Sequence, residues 1–326
     1  MPEHGGDLEL ALRRFGGRAE DWIDLSTGIN RLPYPAAELP LACWRALPSR
    51  SDIESLHQAA RQAYGTAAPI LATSGAQAAI GLLPYLSFHR CSAPGHAKIL
   101  APTYSEYAAT LSAAGWDLVE TSEIEALAGA DLAVVGNPNN PDGRRHDPDR
   151  LLALLPRVGR LVIDESFADA VPGLSLMSRA GRPGLLILRS FGKFYGLAGL
   201  RLGFVAGSEA DIAALAAMSG PWPVSAAAIA IGRRALLDRE WAEATSARLS
   251  RDCQRLDTQV ETLGWTLVGG TPLFRLYQTG EAGPAQERLA RARIWSRVFA
   301  HSPGWLRLGL PGDETEWQRL ISALGR

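Results

Sequence analysis

The feature that most constrains the fold is a series of short apolar runs, each followed by polar, glycine or proline residues. The runs are apolar on both faces and alternate with longer amphipathic stretches, which is typical of buried, mostly parallel strands connected by helices. We therefore predict an α/β fold with a mostly parallel central sheet. The predicted strands are residues 70–72, 97–100, 132–135, 161–163, 185–188 and 202–206, and predicted helices are 77–86, 105–114 and 148–155.

The character of the sequence changes near residue 225, after the last of these runs. A chain of 326 residues favours two domains over one compact unit. We predict a large α/β domain at 27–235 and a smaller α+β domain at 236–326, with residues 1–26 as an N-terminal arm that packs near the smaller domain. The elements expected in the second part are a helical stretch at 226–263 broken near Asp238, strands at 266–268, 273–277 and 305–310, and a final helix.

Polar clusters directly follow several of the predicted strands. In open α/β sheets, ligands bind outside the carboxyl ends of the strands. We therefore expect these clusters to converge on one crevice that holds a ligand. The clusters are residues 73–77, 102–104, 137–143, 164–166 and 190–193.

The last cluster places Lys193 just past a buried strand. Lysine avoids protein interiors unless it is paired or functional. In a low-dielectric pocket the pKa of a lysine falls, and the amine becomes a nucleophile for aldehydes. Ser190 and Arg201 in the same segment suit a phosphate dianion. The segment is not a P-loop, because two of the required residues are missing, and a surface lysine on a flexible loop is the alternative interpretation.

Two other clusters carry groups that could contact a pyridine ring. Asp164 follows an apolar strand and could keep a ring nitrogen protonated, so that the ring remains an electron sink. Helix capping and metal binding are the alternatives for this residue. Asn140, held by Pro141, could donate to a phenolate oxygen, although its neighbours are also typical of a plain turn.

The remaining clusters could hold the other parts of a planar, phosphorylated cofactor. Gly75, Ala76 and Gln77 begin a predicted helix, and backbone N–H groups at a helix N-terminus bind phosphate. A simple N-cap by Ser74 would require the same residues. Tyr104 could stack on a planar ring, although most aromatic residues after strands belong to the core.

The order of these motifs resembles the fold-type-I pyridoxal-5'-phosphate (PLP) enzymes, the aspartate-aminotransferase superfamily. The series is a phosphate loop, a stacking aromatic, an Asn-Pro turn, a strand-end aspartate, and Ser-x-x-Lys followed by arginine, within residues 25–225. The resemblance implies that PLP is the cofactor and that Lys193 holds it as a Schiff base and later moves protons. The implied catalytic residues are Lys193, Asp164 and Tyr104, and the implied cofactor-binding residues are Gly75, Ala76, Gln77, Tyr104, Asn140, Asp164, Ser190, Lys193 and Arg201.

Further features are similar to the histidinol-phosphate aminotransferases and to the threonine-phosphate decarboxylases of cobalamin synthesis. These features are the segments 4–7 and 24–30 and two arginines of the smaller domain. Because both branches act on phosphorylated substrates, the resemblance implies that the arginines bind a phosphate, a carboxylate or both. Surface arginines of a small domain are the alternative. The implied substrate-binding residues are His4, Gly5, Gly6, Asn30, Arg297 and Arg307.

The decarboxylase branch is the closer resemblance of the two. Phe167 stands where many aminotransferases carry a tyrosine that bonds the ring oxygen, and segments 24–35 and 44–48 look like the cobalamin-pathway members. Two departures from the relatives concern phosphate binding: Leu47 replaces a tyrosine that reaches the neighbouring subunit's cofactor, and Asp7 replaces a more usual asparagine. The implied reaction is decarboxylation of O-phospho-L-threonine to (R)-1-aminopropan-2-yl phosphate, and amino transfer of the histidinol-phosphate type is the alternative.

Other classes of function find little support in the composition. A net charge of -1 gives no reason to expect nucleic acid or an anionic membrane as a partner, and the apolar runs are too short to span a membrane. Three separated cysteines without metal-ligand spacing predict no metal site and a cytoplasmic location. The sequence lacks the early glycine motif that a dinucleotide-binding oxidoreductase would have. A non-catalytic sensor of this fold would usually carry a DNA-binding arm, and we expect none because the motifs begin within the first thirty residues. The family resemblance implies a homodimer.

Overall fold

The computed structural model of the chain describes residues 5–36, 38–86 and 94–325. Within these ranges the chain forms two compact units. The large unit comprises Tyr34–Asn140 and Arg145–Ala242, and the small unit comprises Met1–Pro33, Pro141–Arg144 and Glu243–Arg326. The domain boundaries at residues 27 and 235 stay a prediction.

A seven-stranded sheet, counted over the described residues, forms the centre of the large unit. Its strands are β2 (Ile70–Thr73), β3 (His96–Leu100), β4 (Asp117–Thr121), β5 (Leu132–Gly136), β6 (Arg160–Asp164), β7 (Leu185–Ser190) and β8 (Gly203–Ala206). They lie in the order β2-β8-β7-β6-β5-β3-β4, and only β8 runs antiparallel to its neighbours. The predicted α/β fold with a mostly parallel sheet is confirmed, and each of the six predicted strands is present.

Helices cover this sheet because its central strands are apolar on both faces. The helices of the large unit are α2 (Ala42–Arg45), α3 (Arg50–Tyr64), α4 (Ala76–Leu86), α5 (Glu106–Ala113), α6 (Pro148–Leu152), α7 (Phe191–Phe194), α8 (Glu209–Ser219) and α9 (Ala226–Leu237). Short 3-10 turns lie at Ile124–Leu127, Leu155–Arg157, Pro172–Leu174, Met177–Arg179 and Ala198–Leu200. The core between the layers includes Leu71, Ile80, Ile99, Val134 and Val162, all buried.

One predicted helix of the large unit is too long. The prediction spans 148–155, whereas α6 ends at Leu152 and a 3-10 turn follows at Leu155–Arg157. Pro156 explains the difference, because proline lacks the amide hydrogen that a continuing α-helix needs and disfavours helical geometry in the preceding residue.

The small unit contains an antiparallel sheet, with β12 (Arg297–Phe299), β13 (Ser302–Gly309), β10 (Phe274–Gln278) and β9 (Thr266–Thr271) in that order. A second, parallel pair joins β1 (Ile23–Asp24) to β11 (Ile294–Trp295). Its helices are α1 (Leu8–Phe15), α11 (Ala282–Arg291) and α12 (Glu314–Leu324), and a 3-10 turn lies at Ala19–Asp21. Helix α1 packs on an aromatic cluster that contains Trp22 and Trp295.

The predicted break in the long helical stretch is confirmed. Helix α9 ends at Leu237, and α10 (Arg239–Glu261), which contributes residues to both units, begins two residues later. Asp238 stands between them and its carboxylate accepts a hydrogen bond from the backbone N–H of Trp241 at 3.0 Å. An aspartate at this position therefore caps the start of α10.

Candidate active site

One edge of the central sheet collects the predicted cofactor-binding residues. Strands β5, β6 and β7 are parallel and end at this edge. Strand β2 runs in the same direction as β7, because both are antiparallel to β8. Strand β8 begins at the same edge for the same reason. The predicted residues at or beside these strand ends are Gly75, Ala76, Gln77, Asn140, Asp164, Ser190, Lys193 and Arg201. Tyr104 comes shortly after the end of β3.

Gly75 and Arg201 form a concave, positively charged cradle beside the first turn of α4. Gly75 has a φ of +77°, and a Cβ at this position would lie 2.9 Å from Nη2 of Arg201. Arg201 adopts the left-handed conformation, with a φ of 53°, and its Nη1 donates to the carbonyl of Ala198 at 3.3 Å. The guanidinium and the N–H groups of a helix N-terminus together suit a phosphate, so these residues fit the phosphate of PLP.

Lys193 lies on α7, directly after β7, and is half-buried. Its Nζ is 5.9 Å from the centroid of the Phe167 ring. The neighbouring Gly192 leaves room for the next turn of the chain, since a Cβ there would lie 2.7 Å from the Cα of Ala198. The amine therefore lies at the end of β7 beside an aromatic ring.

Asp164 ends β6 and is held by two hydrogen-bond donors. Its Oδ2 accepts from the hydroxyl of Tyr107 at 2.8 Å, and its Oδ1 accepts from the backbone N–H of Ser166 at 2.9 Å. Burial and the adjacent Asp164 carboxylate raise the pKa of Tyr107 well above its usual range, so the phenol remains a donor. The carboxylate is therefore fixed in orientation and can accept a further proton donor.

Tyr104 and Gln77 contact each other at the same edge. The Tyr104 hydroxyl donates to Oε1 of Gln77 at 3.1 Å, and Nε2 of Gln77 donates to Glu106 at 3.1 Å. The Tyr104 ring meets the ring of Tyr107 edge to face, with centroids 6.4 Å apart. Because the side chain of Gln77 is engaged in this way, its backbone N–H in the first turn of α4 is the group suited to an anion.

The turn after β5 is fixed at two points. Asn137 donates to the carbonyl of His146 at 3.1 Å and accepts from its N–H at 3.0 Å. Asn139 accepts from the hydroxyl of Thr103 at 2.6 Å. Asn140 comes next and is half-buried. Sequence reasoning missed the roles of Asn137 and Asn139, and also that of Tyr107, which follows Tyr104 at helical spacing.

Two predicted substrate-binding arginines are direct neighbours in the small unit. Arg297 on β12 stands opposite Arg307 on β13. Arg307 is 4% exposed, and its Nη2 donates to the carbonyl of Ser26 at 2.6 Å. Burial and the neighbouring Arg297 lower the pKa of Arg307 to about 9. Like charges directly opposite each other destabilise a sheet, so this pair suits an anionic ligand that neutralises it.

The predicted N-terminal residues reach the same place through Ser26. The N–H of Gly6 donates to Oγ of Ser26 at 2.7 Å, and Gly5 lies against the Ser26 carbonyl. The Ser26 hydroxyl in turn donates to Asp24 at 2.6 Å. The structure therefore brings Gly5, Gly6 and Arg307 together around one serine, which sequence reasoning did not single out.

Asn30 lies apart from these contacts, and His4 lies outside the described residues. Oδ1 of Asn30 accepts from Nη2 of Arg248 at 2.7 Å and from the N–H of Leu32 at 3.1 Å. Because the oxygen is engaged by two donors, the amide NH2 of Asn30 is oriented as the donor, which suits an anion.

Residues 5–36, 38–86 and 94–325 contain neither a metal-binding cluster nor a membrane-spanning helix. No group of histidine, cysteine, aspartate and glutamate side chains in these ranges could hold a metal ion. No helix in the same part of the chain has the length and apolar character needed to cross a membrane.

The comparisons with known proteins agree with this arrangement. The sequence family "Aminotransferase class I and II" matches residues 44–324. The chain is 42% identical over 330 residues to a threonine-phosphate decarboxylase of Sinorhizobium sp, covering 99% of this chain and 97% of the relative. It is 41% identical over 331 residues to a threonine-phosphate decarboxylase of Pseudomonas aeruginosa, with the same coverage of 99% and 97%.

A solved structure supports the same assignment at the level of the fold. Histidinol-phosphate aminotransferase from Sinorhizobium meliloti, crystallised in complex with pyridoxal-5'-phosphate, superposes with a TM-score of 0.81 at 20% identity. The match covers 99% of this chain and 94% of that one, which confirms the predicted aminotransferase-like fold. From the family match over most of its length and the two relatives above 40% identity, the chain belongs to the aminotransferase class I and II family.

Proposed function

We propose that the protein is a PLP-dependent lyase that decarboxylates O-phospho-L-threonine to (R)-1-aminopropan-2-yl phosphate, a step of cobalamin biosynthesis. The observation that carries the proposal is that one sheet edge holds Lys193, Asp164 and the Gly75–Arg201 cradle. The lysine suits an aldehyde, the aspartate suits a pyridine nitrogen, and the cradle suits a phosphate. The choice of reaction is supported by the names of the two relatives that match almost the whole chain.

The large unit would hold the cofactor at both ends of its ring. Arg201 and the N–H groups of Ala76 and Gln77 bind the phosphate, together with the hydroxyl of Ser190, and Gly75, whose own N–H donates to Thr73, leaves room for it. When bound, PLP supplies an electron sink for the electron pair released at the substrate α-carbon. The residues proposed to contact the ring are Asp164 at the pyridine nitrogen, Asn140 at the ring oxygen and Tyr104 on its face.

Lys193 has two tasks in this proposal. Its Nζ would hold the cofactor through the aldehyde group, and the same amine would hold or move a proton at the substrate α-carbon. For a decarboxylation, Nζ delivers its proton to the substrate α-carbon after the carboxylate has left. The position of Nζ at the sheet edge, over the ring of Phe167, is consistent with both tasks.

The small unit would bind the anionic groups of the substrate. Arg297 and Arg307 are the proposed ligands of phosphate or carboxylate, because two like charges stand opposite each other and a bound anion would stabilise both. Gly5 and Asn30 are proposed as N–H donors, and Gly6, whose N–H donates to Ser26, and His4 are proposed to line the same site. The bond that breaks at the α-carbon is the one held perpendicular to the cofactor ring, so the orientation that these residues impose selects between decarboxylation and amino transfer.

The test is mass spectrometry of the products after the PLP-loaded protein is incubated with O-phospho-L-threonine without any oxo acid. The expected products are carbon dioxide and aminopropanol phosphate, formed over many turnovers per enzyme molecule. An aminotransferase of the histidinol-phosphate type would give no turnover here, and would turn over only when histidinol phosphate and 2-oxoglutarate are both supplied. That second result would overturn the decarboxylase and leave the roles of Lys193 and the cofactor in place.

We further propose that the protein is a homodimer. Leu41, Trp44 and Leu47, on and beside α2, are 59%, 67% and 66% exposed. Neighbouring exposed apolar side chains of this size mark interaction surfaces on soluble proteins. Light scattering on a size-exclusion column is expected to give twice the chain mass for the wild type and a smaller mass for Trp44→Glu. A wild type that elutes as a monomer would contradict the proposal.

We also propose a cytoplasmic location. Cys43 and Cys253 are free thiols, as in proteins of reducing compartments, and Cys91 lies outside the described residues. Localisation of a tagged protein by cell fractionation tests this, and recovery with the periplasmic or membrane fraction would contradict it.

A further inference from the structure

His57 on α3 contacts the outer edge of the central sheet. Strand β2 is an edge strand of that sheet and, among the described residues, pairs only with β8, so part of its backbone faces away from the sheet. The N–H of Ala72 in β2 donates to Nε2 of His57 at 3.1 Å. The His57 side chain is 13% exposed, so water competes little for this hydrogen bond.

This hydrogen bond fixes the protonation state of the imidazole. A backbone amide can only donate, so Nε2 carries a lone pair and the ring proton is on Nδ1. Nδ1 lies 3.6 Å from Oε2 of Glu54. A second proton on the ring would place one N–H against another, and the bond from Ala72 would be lost.

The strand residue held by His57 stands directly before the phosphate cradle. Thr73 follows Ala72, and its Oγ1 donates to the carbonyl of Gly75 at 3.0 Å. The N–H of Gly75 donates to the carbonyl of Thr73 at 2.7 Å. These two hydrogen bonds hold Gly75 against Thr73, which directly follows Ala72. The position of Ala72 therefore sets the position of the loop that ends at Ala76.

We propose that His57 is a positioning residue for the phosphate loop: its neutral imidazole holds the outer edge of β2, and its protonation weakens the binding of the cofactor phosphate. The inference rests on the proposed function, which assigns the loop at Gly75 to the PLP phosphate. His57 itself does not touch the cofactor in this proposal and acts through Ala72.

The charges around His57 agree with a neutral ring near pH 7. Burial lowers the pKa of His57 below 6.5, Glu54 partly offsets this effect, and Arg61 lowers the pKa further. Strand β2 has no ionisable side chain, and the charged residues of α9, which packs along α3, are the exposed Arg233 and Arg234. Because the folded-state pKa is lowered, the stabilising bond is present above 6.5 and is lost as the pH falls through that lowered value.

The dissociation constant of PLP tests the proposal without any measurement of catalysis. It is measured on the apoprotein by quenching of tryptophan fluorescence, at about pH 8 and at a pH about one unit below the pKa of His57 that deuterium exchange gives. His57→Gln can accept from Ala72 at both pH values, because its amide oxygen does not titrate. His96→Gln is the matched control, since His96 is exposed and pairs with Asp117.

Between the higher and the lower pH, the PLP affinity of the wild type and of His96→Gln is expected to fall about fivefold more than that of His57→Gln. This factor corresponds to the loss of about one hydrogen bond. The titration of PLP itself is common to the three proteins and cancels in this comparison. The same pH dependence in all three proteins would overturn the role of His57. If PLP binds none of them, the proposed function fails and takes this inference with it.

A second measurement needs only the wild type. Deuterium exchange at the imidazole carbon between the two nitrogens reports the pKa of a histidine, and His57 is the only histidine of the tryptic peptide 51–61. If protonation of His57 weakens PLP binding by a certain factor, then bound PLP must increase the acid dissociation constant of His57 by the same factor, which lowers its pKa. Equal pKa values in the apoprotein and the PLP-loaded protein would overturn the proposal even if His57→Gln failed to fold.

Discussion

Arg201 lies so close to Gly75 that a Cβ on residue 75 would be 2.9 Å from its Nη2. Gly75 also has a φ of +77°, which side chains of L-residues rarely adopt. Glycine is therefore required at this position for its backbone conformation and for the space it leaves to the guanidinium. The two requirements can be separated by experiment, because the chain contains a glycine that has only the first of them.

Gly75→Ala is expected to weaken PLP binding by at least about tenfold, because its methyl group displaces a charged phosphate ligand. Gly65→Ala is the matched control: Gly65 has a φ of +63°, and nothing lies within 4 Å of its Cβ position. Both variants should lose about 1 kcal/mol of unfolding free energy through backbone strain. Equilibrium dialysis measures PLP affinity, and equal losses in the two variants would remove the phosphate role of this loop.

Lys193→Ala is expected to abolish the visible absorption band of the lysine-bound cofactor. The sequence contains only one other lysine, Lys98, whose Nζ donates to the carbonyls of Ala126 and Ala128. Lys98→Ala should therefore keep the band, and mass spectrometry after borohydride reduction should find the cofactor on residue 193. A band that survives in Lys193→Ala would refute the assignment of this lysine.

Asp164→Asn is expected to lower kcat by about a hundredfold or more while PLP remains bound. The amide keeps the shape of the carboxylate but cannot hold a proton on the pyridine nitrogen, so the ring becomes a weaker electron sink. Tyr107→Phe is the control, because it removes one of the two hydrogen bonds to Asp164 and leaves the charge. It should cost about 1 kcal/mol of stability and less than about tenfold in kcat. Similar kcat values for both variants would contradict the role of the charge.

The fold was predictable where the strands are buried on both faces. β5 is buried along its whole length and reads as a continuous apolar run. β4, which was not predicted, is an edge strand with a mostly exposed sequence, in which Val119 is 49% exposed. Helix α3 was also not predicted, although Ser49 and Asp52 form a capping box at its start, which is a local signal of a helix N-terminus.

The candidate site was predictable to the extent that its residues follow strand ends. Lys193 and Asp164 stand in that position, so the sequence pattern points to them. The contacts of Tyr107 with Asp164 and of His57 with Ala72 join residues that are 57 and 15 positions apart. Such contacts depend on the packing of a helix on the sheet, which no local pattern encodes, and they were therefore not predicted.

The buried Arg307 beside Arg297 predicts that anions stabilise the folded protein. A guanidinium whose pKa is lowered to about 9 is charged in both the folded and unfolded states at neutral pH, and its charge destabilises the folded state. O-phospho-L-threonine or inorganic phosphate should offset this cost and raise the unfolding temperature of the PLP-loaded protein by a few degrees. PLP already fills the phosphate cradle of the large unit in this experiment, so the response to inorganic phosphate, which does not react with the cofactor, reports the arginine pair.

Arg307→Met is expected to remove most of that thermal response and to raise the KM for O-phospho-L-threonine by about a hundredfold, the effect of a lost charged contact. Arg255→Met is the matched control in the same unit, because Arg255 pairs with the exposed Glu314 and lies over the ring of Trp317. It should lose some stability and keep both the thermal response and the KM. If Arg307→Met instead behaves as Arg255→Met does, the substrate anion binds elsewhere, and the paired arginines of β12 and β13 have no part in selecting the bond that breaks.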